Sequence, residues 1–175
     1  MHCPKCAVDI NDFSPECPKC GFHIRELDAV FGIPPERSDL ITDLAKVFSD
    51  SGKKKIRERL QSFTERTTHA FFVIAKESTE PRLPGEFVFW LFERWNIGGE
   101  SHAGLLILLS IKERRIEVEV GYDLERFISD EGAANILQFH AVPFLKHGDY
   151  DGGMYHAVDL LARIIEDEER REKSE

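Results

Sequence analysis

No run of about eighteen apolar residues occurs in this sequence, so its pattern excludes a membrane-spanning helix. Basic residues are in short supply: 23 Lys and Arg stand against 32 Asp and Glu, a formal net charge of −9. Such a chain repels a phosphate backbone, and nucleic acid is disfavoured as a partner. The shortage is also local, since only Lys5, Lys19, Arg25 and Arg37 precede Ser38, against Asp9, Asp12, Glu16, Glu26, Asp28 and Glu36. There is no Gly-rich phosphate loop, no Ser/His/Asp pattern and no cysteine nucleophile. The opening Met1-His2-Cys3-Pro4 lacks the apolar run of a secretion signal, and the expected location is the cytoplasm.

Cysteine is scarce, but its placement is specific. All 4 lie near the start, as Cys3, Cys6, Cys17 and Cys20 in two Cys-Pro-Lys-Cys units. Two residues between paired cysteines let the backbone turn so that both sulfurs face one ion, and Gly21 supplies a permissive position after the second unit. Two such knuckles predict a four-sulfur site for zinc, with iron the less usual occupant. Disulfides fit poorly without a secretion signal. Four protein ligands close the coordination sphere, so the role expected is structural, and a segment this short needs the ion to fold. His2 and His23 are close by but are not needed as ligands.

The remainder is rich enough in apolar residues to build a core: 42% of the chain is hydrophobic, with 13 Phe and 2 Trp. A short helix is expected over 25–30, then a linker carrying Pro34 and Pro35. Ile56, Leu60 and Phe63 recur at helical spacing over 52–67. A buried strand is predicted over 70–75 and a helix over 86–95, with Val88, Leu91, Phe92 and Trp95 inward. A second apolar strand over 103–111 turns at Lys112-Glu113-Arg114 into Ile116, Val118 and Val120, alternating with Arg115, Glu117 and Glu119 on a face expected to be wet. Two helices follow, over 129–145 and 152–172. The other histidines, His69, His140, His147 and His156, have no ligand spacing, and Lys53-Lys54-Lys55 reads as a solvated helix start. The expected architecture is α/β: a three-layer α/β/α sandwich around a small mixed sheet, plus an N-terminal zinc ribbon. The boundaries expected are a ribbon over 1–27, a linker over 28–38 and an α/β domain over 39–175.

That larger domain resembles the TPM domain family, of the thylakoid-lumen acid phosphatase, photosystem II repair and receptor-modulator type. The matching residues are the segment from Asp43 to Ser49, the turn Trp95-Asn96-Ile97-Gly98, and the strand from Gly104 to Leu109. Gly121-Tyr122-Asp123-Leu124-Glu125, the pair Ser129-Asp130, and Pro143-Phe144 followed by Gly148-Asp149-Tyr150 complete the match. Asp123 stands where the family commonly has Gly, and His102-Ala103 precede Gly104 where Asn or Asp is usual. The resemblance implies a divalent-cation site of calcium or magnesium at Asp43, Glu125 and Asp130, and carboxylate oxygens at converging loops suit such ions. It also implies two activities: a cation-dependent interaction module in the maintenance of protein complexes, or a metal-dependent phosphatase with Asp43 as nucleophile or base. The first is favoured, with an unidentified protein partner, because Lys46 is the sole Lys or Arg within these motifs, too little positive charge to stabilise a transferring phosphate.

Overall fold

The structure, a computed structural model, describes residues 3–10 and 16–174; His2 and Asp12 lie outside them. After the cysteine-bearing segment, helix α1 (Arg25–Phe31) leads through an irregular stretch to strand β1 (Ile41–Asp43). Then come α2 (Asp50–Thr67), β2 (Ala70–Lys76), α3 (Pro84–Arg94), β3 (Gly104–Ser110) and β4 (Arg115–Val120). The chain closes with α4 (Asp130–Ile136), a widened π turn (Leu137–Ala141), α5 (Val142–Lys146) and α6 (Tyr150–Glu172).

The sheet order is β1-β2-β3-β4, with the first three strands parallel and β4 antiparallel to β3. The expected mixed sheet in an α/β/α sandwich is therefore present, with one strand more than expected. Asp43, in a stretch for which no strand is expected, ends β1. Three residues are too few to display a period of two, and Ile41-Thr42-Asp43 is held by its pairing to Val73, Ile74 and Ala75.

One face of the sheet carries the larger core. Leu105, Ile107, Leu109 and Val120 pack there with Ile56, Leu60 and Phe63 of α2 and with Met154, Val158, Leu161 and Ile165 of α6. Arg59 of α2 ties these two helices, donating to Asp159 Oδ1 at 2.8 Å and to Glu166 Oε1 at 2.8 Å. The helix expected without interruption over 129–145 is divided. Pro143 has no N–H to donate to Phe139 and crowds its carbonyl, and the chain widens into the π turn just before it.

The opposite face is covered by α3, which begins with Pro84 at its first turn and has Glu86 accepting the Leu83 N–H at 3.1 Å. Phe87, Val88, Phe89, Trp90, Leu91 and Phe92 are six consecutive buried residues. A helix apolar on all sides needs cover on both. The sheet supplies one side through Ile74, Leu106 and Leu108, and the N-terminal segment supplies the other through Cys3, Cys17, Phe22 and Leu27.

Candidate metal centre

The two Cys-Pro-Lys-Cys units fold alike. In the first, the Cys3 N–H donates to Val8 O and the Ala7 N–H to Cys3 O, both at 2.8 Å. In the second, the Cys17 N–H donates to Phe22 O at 2.8 Å and the Gly21 N–H to Cys17 O at 2.9 Å. The residue after each second cysteine is left-handed: Ala7 at φ 55° and Gly21 at φ 69°. A Cβ at Gly21 would come within 3.2 Å of Glu16 Oε1, so glycine meets both a backbone and a space requirement there.

This local folding aims four sulfurs at one point. Cys3 and Cys20 Sγ are 3.7 Å apart, Cys6 and Cys17 Sγ are 3.7 Å apart, and all four lie within 4.8 Å of one another. A tetrahedral ion with sulfur at about 2.3 Å separates its sulfurs by about 3.8 Å. The donor set fits a soft or borderline ion of that size, and the sulfurs are too far apart for a disulfide. Burial, and then the neighbouring sulfurs of Cys6, Cys17 and Cys3, push the Cys20 thiol up to about 12. At Cys17 burial is outweighed by the backbone N–H groups of Cys20 and Lys19, which hold the thiol down to about 7. Four thiolates in this volume need a cation to neutralise them.

The centre is joined to the rest of the molecule by side chains that spacing alone does not reveal. Phe22 meets Phe89 edge-on at 6.1 Å, and Phe31 meets Phe87 at 5.1 Å and Trp90 at 5.0 Å. Asp28 of α1 accepts from Trp90 Nε1 at 2.9 Å and from both ends of the Arg94 guanidinium at 2.6 and 2.7 Å. The Arg94 hydrogen bonds hold the Asp28 carboxyl below its usual range. Trp95 Nε1 donates to Pro35 O at 2.8 Å, and Arg37 lies over the Phe72 ring at 4.4 Å. The stretch expected as a linker over 28–38 thus begins inside α1 and is pinned at several points.

The three acidic residues carried over from the family resemblance are not brought together. Asp43, at the carboxyl end of β1, is level with Leu109 of β3, whereas β4 ends at Val120, level with Leu105. Four residues along the strands and three strand spacings across correspond to roughly 13 Å and about 14 Å. The Asp43 carboxylate, 4% exposed, accepts the N–H groups of Val47 and Phe48 at 3.1 and 3.2 Å and pairs with Lys53 Nζ at 2.9 Å.

Glu125 and Asp130 lie at the other end, where sequence reasoning missed two companions. Glu119 of β4 and Glu93 of α3 approach them. Burial, and then the negative charges of Asp130, Glu93 and Glu125, push the Glu119 carboxyl well above its usual range. Glu119 pairs in register with Leu106, which packs on the α3 side of the sheet. The alternation of Arg115, Glu117 and Glu119 marks a shared face; that α3 covers its far end is a tertiary fact. The α4 N-cap is Ser129, whose Oγ accepts the Gly132 N–H at 3.1 Å, so Asp130 is not the capping side chain. Among the described residues only the four cysteines come within ligating distance as a group.

Residues 41–164 match the profile of the TPM domain. The match begins beyond the cysteine segment. No match is found among the curated proteins. Among solved structures, the N-terminal domain of a protein from P. gingivalis is 25% identical, with a TM-score of 0.70 over 75% of this chain and 84% of that one. The N-terminal domain of the cg2496 protein from Corynebacterium glutamicum is 16% identical, with a TM-score of 0.59 over 75% and 83%. The BA42 protein from the psychrophilic Bizionia argentinensis is 12% identical, with a TM-score of 0.60 over 70% and 83%. The last two are alike in fold alone.

Proposed function

This chain belongs to the TPM domain family, and from that premise we propose that it is a cation-dependent interaction module carrying a structural zinc ribbon. Cys3, Cys6, Cys17 and Cys20 would hold the zinc, and reduced cysteine ligands suit a cytoplasmic protein. Among the described residues no helix is long and apolar enough to cross a membrane. Calcium or magnesium would bind at the acidic end around Glu125 and Asp130, with Glu93 contributing charge and Glu119 giving up its proton as the cation binds. Tyr122, 61% exposed beside that cluster, offers an aromatic contact for an unidentified protein partner. The domain limits proposed remain 1–27, 28–38 and 39–175.

The observation that carries the interaction reading over the phosphatase reading is the separation of Asp43 from the acidic cluster. A metal-assisted hydrolase needs its nucleophile, its ion and its phosphate-binding cations at one place. The Asp43 carboxylate is instead engaged by two backbone N–H groups and Lys53. The test is calcium or magnesium titration followed by thermal melting, run beside hydrolysis of an aryl phosphate. Cation is expected to raise Tm in the wild type and not in Asp130→Ala, with negligible turnover. Cation-dependent turnover that falls about a hundredfold in Asp43→Asn would establish the phosphatase reading instead. For the ribbon, metal analysis is expected to find about one equivalent of zinc, lost in Cys20→Ser.

A further inference from the structure

A cavity of about 700 Å³ opens between the β3–β4 hairpin and α5, away from both the cysteine centre and the acidic cluster. Its floor is apolar, formed by Leu109, Ile116, Val142 and Leu145. Its rim is cationic: Lys112, Arg114, Arg115 and Lys146 all line it. In a chain of net charge −9, four positive side chains around one opening run against the average surface. Chance pairing does not neutralise them. Among the described residues Lys112, Arg114 and Lys146 have no ion-pair partner, and only Arg115 has one, Glu117 at 2.9 Å. Glu113, the acidic residue inside the hairpin turn, is turned away, accepting from Ser78 Oγ at 2.6 Å and from Ser110 Oγ.

The position also favours a ligand. The cavity lies outside the carboxyl end of β3, where the sheet changes from parallel to antiparallel pairing. Open α/β sheets bind ligands outside the carboxyl ends of their strands. Arg114 holds a left-handed backbone, φ 52°, at the cavity mouth, where glycine would sit at lower cost.

We infer that this cavity binds a small organic anion with an apolar body and a doubly charged head, a phosphate monoester or phosphonate being the simplest such head. The volume is that of a small-molecule site, the floor takes the apolar body, and two guanidinium forks with two ammonium groups match a dianionic head. The ligand is a single dissolved molecule, since the apolar surface is recessed behind the rim and not presented on it.

The test is calorimetric titration of the full chain with octylphosphonate, which no phosphatase cleaves, beside inorganic phosphate and octanol. The expected result is saturable binding of octylphosphonate, at least tenfold tighter than either fragment and weakened by salt. The triple variant Lys112→Gln, Arg114→Gln, Lys146→Gln is expected to lose at least tenfold in affinity with an unchanged Tm, because all three side chains are exposed. Amide NMR shifts on binding should centre on 109–116 and 142–150. Inorganic phosphate binding as tightly as octylphosphonate would overturn the inference, as would undiminished binding by the triple variant. Binding to phosphatidic-acid vesicles without binding of dissolved octylphosphonate would also overturn it, in favour of a membrane surface. Loss of the cation response in Asp130→Ala leaves this titration untouched, so the two readings fail separately.

Discussion

At the scale of the residue, the two knuckles differ where their hydrogen bonding is the same. Ala7 occupies the left-handed position that Gly21 fills in the second unit. A side chain there costs roughly 1 kcal/mol against glycine. Ala7→Gly is therefore expected to bind zinc a few-fold more tightly, measured by chelator competition, while Gly21→Ala should weaken it. A second residue sets a pH dependence. Burial pushes the Glu113 carboxyl up, but hydrogen bonds from Ser110 and Ser78 and the Thr79 N–H outweigh it and hold the group at about 2. Its unfolded value is near 4.5, so the depressed native value adds stability that is complete above about pH 4.5 and is lost as pH falls through 2. Urea denaturation should show the wild type losing more stability than Glu113→Gln between about pH 5 and pH 2. Because the carboxylate is partly solvated, the difference is expected to be about 1 kcal/mol.

At the scale of the element, the joint between α2 and α6 rests on a cation that periodicity cannot assign. Arg59 is 12% exposed at its side chain and faces Asp159 and Glu166, at 12% and 7%. Arg59→Met would leave Asp159 with the exposed Arg163 at 2.8 Å and Glu166 with the exposed Arg66 at 3.7 Å, and a loss of about 2 kcal/mol is expected by chemical denaturation. Replacing all three with apolar residues of like size should restore most of that loss. Helix α3 makes the complementary point. Its six consecutive buried apolar residues were legible as a helix with an inner face. That the outer face is also covered was legible in principle, since no polar stripe remains, although what covers it was not.

At the scale of the whole molecule, the cysteine centre and the sheet share one apolar cluster, through Cys3, Cys17, Phe22, Leu27 and α3. Removing a metal held by these cysteines should therefore be felt beyond the cysteine segment. Trp90 is fully buried beside Phe31 and hydrogen-bonded to Asp28. Chelation, or the Cys20→Ser change, is expected to red-shift tryptophan emission and lower Tm by several degrees, while the α2–α6 face keeps its cooperative melt. A 39–175 fragment should fold on that same face but bind an apolar dye at exposed Phe87 and Trp90. Unchanged emission and Tm on chelation would show that the two parts do not support one another.

Local spacing was enough, from the sequence alone, to identify what acts over a few residues. The two cysteine knuckles, the apolar strands β2 and β3, the hairpin turn and the inner stripes of α2 and α6 all follow from periodicity or from two-residue ligand spacing, which depend on bond geometry within one segment. What only the tertiary structure decided depends on register between distant segments. The antiparallel return of β4 carries Glu125 and Asp130 to the end of the sheet opposite Asp43, and half-buries Glu119 beside α3 where alternation predicted a face open to water. The same return sets Lys112, Arg114 and Arg115 against Lys146, about thirty residues further along the chain, around one cavity. Strand order and direction are fixed by the burial of whole faces, and no local pattern of charges records them.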